Sequence, residues 1–389
     1  MSVTAAQGFR AAGVKAGLKA SGNPDLALVV NDGPLAVAAG VFTTNRVVAA
    51  PVTWSRQALA AAPTARAVIL NSGSANACTG ERGAADAATT AAHVAGLLDC
   101  ESADVLVCST GVIGEPIDMG VLLPGATAAS QALAATPEAG HEAAVAIMTT
   151  DTAPKEDAAV REGWTVGGMI KGVGMLAPGL ATMLCVLTTD AVVEPGAAQA
   201  ALAAATARTV NRINSDGCMS TNDTVVLLAS GASGITPTDA DLADAVEEVL
   251  GGLGRRLVAD AEGATHDIAI TVTGAVSEEA AEAAARTVSA SNLLKCAVAG
   301  EDPNWGRVLS QLGTVPEATC PFDPDEVDVT INGVTVFRHG GLGEPRDTVD
   351  MSPRETRIDI DLGAGRAQAT VWTNDLTHGY VTINADYTT

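Results

Sequence analysis

Aromatic residues are scarce in this chain: four Phe, four Trp and two Tyr among 389 residues, 3% of the total. A core with so few rings has to be filled by Ala, Val, Leu and Ile, and the 47% of hydrophobic residues supplies a globular composition rather than a disordered one. Basic residues are scarce as well. Lys and Arg number 22 against 45 Asp and Glu, a formal net charge of -23. That balance argues against a basic face able to track a phosphate backbone, so nucleic acid is not an expected partner. The seven cysteines, at 78, 100, 108, 185, 218, 296 and 320, form no CxxC pair and are odd in number. They suit neither a disulfide framework nor a zinc site, and read as small buried hydrophobes in a reducing compartment. No uninterrupted apolar run is long enough to cross a bilayer. The opening stretch MSVTAAQGFRAAGVKAGLKASG is broken by Arg10, Lys15 and Lys19 and has no apolar core of signal-peptide length. The expectation is a soluble, cytoplasmic protein with a small-molecule partner, and the length suggests two or three lobes.

Familiar catalytic signatures are missing too. His93, His141, His266, His339 and His378 fall in no HExxH or other metal-ligand spacing, so no metal is expected. There is no GxSxG elbow, no GxxxxGK[ST] loop and no strand-GxGxxG-helix fingerprint. Each histidine reads as a surface or satisfied core residue. A nucleophile activated here would need a base other than histidine.

What is present is an alternation of strands and Ala-rich helices. Strand-like runs cover Leu26 to Val30, Ala67 to Leu70, Val105 to Cys108, Met183 to Leu187, Val225 to Ala229 and Ile268 to Val272. Helical stretches cover Ala84 to Leu98, Glu142 to Met148, Ala197 to Arg212, Asp239 to Glu262 and Glu278 to Ser289. The C-terminal third is rich in hairpin signals. Val327 to Ile331 and Val334 to Arg338 flank Asn332-Gly333, suited to a type I′ turn, and Arg357 to Leu362 is expected to pair with Ala367 to Trp372 across GAGR. Tyr380 to Ile383 alternates like a strand. The fold class is α/β (α+β), with mixed sheets layered with helices, no linker and no internal repeat.

One stretch, GLATMLCVL at Gly179 to Leu187, raises a question of chemistry. Thr182 follows small residues and precedes a buried-looking strand. It could be an ordinary β-former at a strand edge. It could also attack the carbonyl of Ala181, and hydrolysis of the resulting ester would expose its own α-amine. That amine, with an ordinary pKa of about 7.7–8.0, is partly neutral near neutral pH and can take the hydroxyl proton. On residue chemistry alone both readings stand.

Longer motifs bear on the choice. KGVGMLAPGLATMLCVLTTDA (171–191), CSTGVIGEPI (108–117), IMTTDTAPK (147–155), GEDPNWGRV (300–308) and the final INADYTT (383–389) together resemble the ornithine acetyltransferase family, the ArgJ proteins of arginine biosynthesis. The resemblance runs to the last residue. It implies a fold shared with N-terminal-nucleophile aminopeptidases such as DmpA, and self-cleavage at Ala181-Thr182 into an α chain, 1–181, and a β chain, 182–389. The two would stay associated, with two copies of each in the assembly.

The same resemblance implies site roles. Thr182 is the nucleophile, and Thr110 and Gly111 form the oxyanion hole. Thr149, Lys171, Glu262, Asn384 and Thr389, with Thr182, contact the substrate, with Thr152 as a neighbour. Lys171 would pair with an amino-acid carboxylate and Glu262 would sit at the end of a helix. Gly179 departs from the Asn or Ser expected before the scissile bond, which bears on cleavage rate. The implied reaction is ping-pong acetyl transfer from N-acetylornithine to glutamate without a cofactor, and some members also take acetyl from acetyl-CoA. An aminopeptidase or amidase of the same fold, with water as acceptor, is the alternative.

Overall fold

The computed structural model describes residues 2–176 and 183–386. The first part of the chain supplies β1 (Phe9–Val14), β2 (Leu26–Asn31), β3 (Val37–Phe42), α1 (Ala50–Ala61), β4 (Ala67–Ser74), α2 (Gly80–Leu98), β5 (Val105–Val112), α3 (Met119–Ala132), α4 (Pro137–Ala146), β6 (Lys155–Arg161) and β7 (Trp164–Lys171). From Met183 onward come β8 (Leu184–Thr189), α5 (Pro195–Arg208), β9 (Thr224–Ala229), α6 (Asp239–Ala259), β10 (Asp267–Ala275), α7 (Glu278–Ser289), α8 (Asn292–Ala299) and α9 (Trp305–Leu312). The chain then continues through β11 (Asp328–Ile331), β12 (Val334–Arg338), β13 (Gly341–Leu342), β14 (Glu355–Asp361), β15 (Ala367–Asn374) and α10 (His378–Asp386).

These elements build three mixed sheets. Five strands run β3-β9-β8-β7-β6, four run β1-β2-β4-β5, and six run β13-β12-β11-β14-β10-β15. The first two sheets face each other. Their shared core takes Val29, Leu70 and Leu106 from one and Met169, Leu184, Val186 and Val226 from the other. Because side chains alternate along a strand, the neighbouring Cys185, Leu187 and Val225 point to the opposite face, where they pack on Leu202 of α5 and Leu250 and Leu253 of α6. The four-stranded sheet is covered outside by Val94 of α2 and Leu122 of α3. The result is a helix-sheet-sheet-helix arrangement, which explains why β8 and β9 are buried at every residue. The six-stranded sheet has its own core with α7, α8 and α9.

Local signals set the helix ends. Thr238 caps α6 by accepting the Asp241 N–H at 3.1 Å, and Asp239 and Asp241 oppose the helix dipole in the first turn. Thr136 caps α4 and Pro137 opens it, so that helix begins earlier than Glu142. Asn332 and Gly333 take φ values of +45° and +84°, as a type I′ turn requires, and β11 pairs with β12 as expected.

Four expectations are corrected. Arg357 to Leu362 and Ala367 to Trp372 do not pair with each other, because β10 lies between β14 and β15, parallel to the first and antiparallel to the second. Both strands flank β10, whose Ile268, Ile270 and Val272 are buried, rather than meeting each other. Tyr380 to Ile383 is helical, within α10, and none of its residues is buried. The cysteines are not uniformly buried: Cys108, Cys185 and Cys320 are, whereas Cys78, Cys218 and Cys296 are exposed. Glu262 lies three residues beyond the end of α6, in a turn rather than in the helix.

Close packing of α4 on β1 yields a stability test. A Cβ at Gly13 would come within 1.9 Å of the Glu142 carbonyl oxygen, whereas one at Gly96, on exposed α2 surface, would meet nothing within 4 Å. Gly13→Ala should destabilise the protein by about 1–3 kcal/mol. Gly96→Ala should stabilise it by about 0.5–1 kcal/mol. Urea unfolding of the two variants checks both signs.

Candidate active site

Where β5 leaves the four-stranded sheet, Thr110 is buried and Gly111 adopts φ +131°. A Cβ at Gly111 would lie 2.4 Å from the Gly73 carbonyl carbon on β4, so only glycine lets these strand ends approach. Across from them, β7 ends at Lys171, which is 1% exposed and donates from Nζ to Thr110 Oγ1 at 3.1 Å. A hydroxyl that accepts from an ammonium keeps its own hydrogen free to donate elsewhere.

The next turn, Val173 to Met175, and the loop after α4 close around the same space. Thr110, Gly111, Thr149, Thr150, Lys171 and Glu262 line a cavity of about 160 Å³, with Asn384 of α10 at its rim. Glu262 is held from two sides: Thr150 Oγ1 donates to Oε1 at 3.0 Å and Asn384 Nδ2 donates to Oε2 at 3.1 Å. Gly174 is small because of this carboxylate, since a Cβ there would sit 2.9 Å from Glu262 Oε2.

Beneath the cavity lies Asp151. Its Oδ2 accepts the Thr149 N–H at 3.0 Å, and its Oδ1 accepts the Gly172 N–H at 2.8 Å and Lys155 Nζ at 2.6 Å. Lys155 also donates to Asp260 at 2.6 Å. Burial alone would raise the Asp151 carboxyl, but Lys171 and Lys155, with the hydrogen bonds, outweigh it and hold the pKa at about 2. Burial pushes the Lys171 ammonium below the usual lysine range; Lys155 adds to that effect, while Asp151, Asp223 and Glu262 oppose it.

The chain re-enters the five-stranded sheet next to this cavity. Met183, the first described residue after Thr182, donates its N–H to Asp223 Oδ1 at 3.0 Å and accepts from Thr224 N at 3.1 Å. Leu184 then stands opposite Lys171 in the β7–β8 register. Burial drives the Asp223 carboxyl well above the ordinary range, against the Met183 N–H and Lys171, which favour its charged form.

The structure therefore brings together Thr110, Gly111, Thr149, Lys171, Glu262 and Asn384. Gly179, Ala181, Thr182 and Thr389 lie outside the described residues. Lys171 Nζ is bonded to Thr110 Oγ1, which the sequence did not announce. Thr152 is tied to Asp260 and lines no part of the cavity. Among the described residues no group of three or more His, Cys, Asp or Glu is placed to hold a metal ion, and no helix is long and apolar enough to cross a membrane. A groove of about 390 Å³ between α5 and α6, lined by Arg208, Glu247, Glu248 and Trp372, contains none of the motif residues.

Comparison with known proteins agrees with this convergence of motifs. A model of the ArgJ family matches residues 10–389. The chain belongs to the ArgJ family. It is 60% identical to the arginine biosynthesis bifunctional protein ArgJ of Bifidobacterium longum and 56% identical to that of Streptomyces avermitilis, each alignment covering 100% of both chains. A solved structure of ornithine acetyltransferase complexed with ornithine, from Mycobacterium tuberculosis, is 52% identical over 47% of this chain and 96% of its own, with a TM-score of 0.45.

Reading the sequence of this ArgJ chain missed Thr150, Asp151, Lys155 and Asp260. A signal existed for two of them. Within IMTTDTAPK, Asp151 and Lys155 are four apart, a spacing that reads as helical, yet they pair across a loop and a strand start. Asp260 pairs with a residue 105 positions away, which no local pattern announces.

The depressed pKa of Asp151 fixes the direction of a pH effect. Its folded value lies below the ordinary 3.8, so its contribution is complete above that value and lost as pH falls toward 2. Asp151→Asn should lose about 3–5 kcal/mol at pH 7, because Lys171 loses the nearest charge that offsets its burial and Lys155 keeps only Asp260. The same variant should show a flatter loss of stability between pH 4 and pH 2 than the parent. Urea unfolding across that range checks both.

Proposed function

We propose that the cavity beside Lys171 transfers an acetyl group from N-acetylornithine to glutamate through an acetyl-Thr182 intermediate, after cleavage at Ala181-Thr182. The chain is a bifunctional ArgJ protein, an ornithine acetyltransferase and N-acetylglutamate synthase of arginine biosynthesis. The observation that carries the placement is the Lys171–Thr110 hydrogen bond in a cavity beside the start of β8, which begins two residues beyond Thr182.

In the maturation step Thr182 Oγ attacks the Ala181 carbonyl carbon, the C–N bond breaks, and the hydroxyl proton ends on the departing nitrogen. Water then hydrolyses the ester, giving a carboxylate at Ala181 and a free α-amine on Thr182. In transfer, that amine takes the hydroxyl proton as Oγ attacks the acetyl carbonyl, then passes it to the ornithine amine as the amide bond breaks. The tetrahedral oxygen is met by the Thr110 hydroxyl hydrogen, left free by the Lys171 contact, and by the Gly111 N–H. Glutamate's amine attacks the acetyl-enzyme by the same path in reverse. One amide is exchanged for another, so no bound cofactor is required, and acetyl-CoA is the second donor for the synthase activity. Thr149, Lys171, Glu262, Asn384 and Thr389 hold the amino acid. Fragments 1–181 and 182–389 remain associated as α and β chains, two of each, in the cytoplasm.

Three measurements test this reading. Purified protein given N-acetylornithine and glutamate should yield N-acetylglutamate and ornithine in equal amounts; free acetate in their place would mark a hydrolase. Thr182→Ala should be uncut and inactive. Thr110→Ala should lower kcat by roughly a hundredfold, about 3 kcal/mol in barrier, and unchanged turnover would make Thr110 a turn residue only.

A further inference from the structure

A second cavity, of about 400 Å³, adjoins the first. Glu262 lines both, and Asp216, which lines the second, accepts the N–H of Met175, which lines the first, at 2.7 Å. Its outer wall is α10, through Tyr380 and Val381. Within it sits Lys295 of α8, 6% exposed, whose Nζ donates to the Ser215 carbonyl, its one hydrogen-bond partner among the described residues. A lysine has three donors, so two are unused. The acidic groups facing it differ in availability. Asp375 already accepts from the Thr265 N–H at 2.9 Å and contacts His266 Nδ1 at 3.1 Å, whereas among the described residues Asp216 accepts only the backbone N–H groups of Met175 and Cys218. Asn214 Oδ1, which belongs to the same lining, is buried without a hydrogen-bond partner among the described residues.

Acetyl exchange between ornithine and glutamate sets a recognition problem. The two amino acids share an α-carboxylate and an α-amine but end in opposite charges, a δ-ammonium and a γ-carboxylate. A pocket holding only acid would repel one and a pocket holding only base would repel the other. The second cavity offers groups of both signs, Lys295 beside Asp216, and shares Glu262 with the first.

We propose that this chamber is the side-chain subsite of the transferase: Lys295 receives the γ-carboxylate of glutamate, and Asp216, with Glu262 and Asn214 Oδ1, receives the δ-ammonium of ornithine. The assignment rests on the acetyltransferase reading above. Burial lowers the Lys295 ammonium below the usual lysine range while Asp216 and Asp375 hold it up, and its Nζ hydrogen bond goes to the Ser215 carbonyl rather than to either carboxylate, leaving donors for a bound one.

Steady-state kinetics on the self-processed enzyme test the subsite. Lys295→Gln should lose about tenfold more in kcat/KM for glutamate than for N-acetylornithine, and Lys295→Arg should recover part of that selectivity. Asp216→Asn should lose selectively in the other direction. As a measurement that needs no variant, the parent enzyme should prefer glutamate over the uncharged acceptors glutamine and norvaline by about tenfold or more. Equal losses for both substrates in folded Lys295→Gln, or a parent enzyme that accepts norvaline as well as glutamate, would overturn the subsite. Absence of any transfer by the parent would overturn the acetyltransferase reading and the subsite with it.

Discussion

A single buried carboxylate, Asp151, ties together the segments from which the site is built. Through its two oxygens it fixes the backbone at Thr149 and Gly172 and anchors Lys155, which in turn holds Asp260 near the end of α6. Those bonds position the loop after α4 and the end of β7, and with them Thr149, Lys171 and the turn that carries Gly174. Two lysines in one low-dielectric region would repel each other and shed protons without a shared anion. With Asp151 ionised between them, Lys171 can lie buried against Thr110 and orient the hydroxyl to which the proposed mechanism gives the oxyanion.

The site draws on both sides of the proposed cut. Thr110, Gly111, Thr149 and Lys171 precede Thr182, whereas Glu262 and Asn384 follow it. The fragments are held by more than the cavity. β7 and β8 form an antiparallel ladder from Val166↔Thr189 to Lys171↔Leu184, and β9 continues the same sheet to β3. The core between the two facing sheets mixes Leu70 and Met169 with Leu184, Val186 and Val226. Separating the fragments would expose this surface and leave central strand edges unpaired, a cost large enough to keep them together without a covalent link. The proposed division at Thr182 is therefore a division of the chain and not of the fold.

Much of this was legible in the residues, and the misses have physical causes. Strands buried on both faces, such as β8 and β9, announce themselves as continuous apolar runs. The Asn332-Gly333 turn is readable because only a few residues accept two successive positive φ values. The pairing of β14 with β15 was misjudged because a short loop between two alternating runs looks the same whether they meet or a third strand enters between them. At α10 the alternation of Tyr380 to Ile383 was misleading, since none of these side chains is buried and no sheet face selects the period-2 pattern. The six site residues that converge were found through motif resemblance. Asp151 and Lys155 were passed over although they stood in a quoted motif, because their importance lies in long-range pairing rather than in chemistry at the reacting atoms.

The central claim is that the chain makes its own nucleophile at position 182. Denaturing electrophoresis of freshly purified protein, followed by N-terminal sequencing and intact-mass measurement of the bands, tests it most directly. The account predicts two fragments, the second beginning Thr-Met-Leu-Cys, together accounting for the mass of the whole chain plus one water. A fully active protein that remains a single chain, or a second fragment beginning at any other residue, would contradict it.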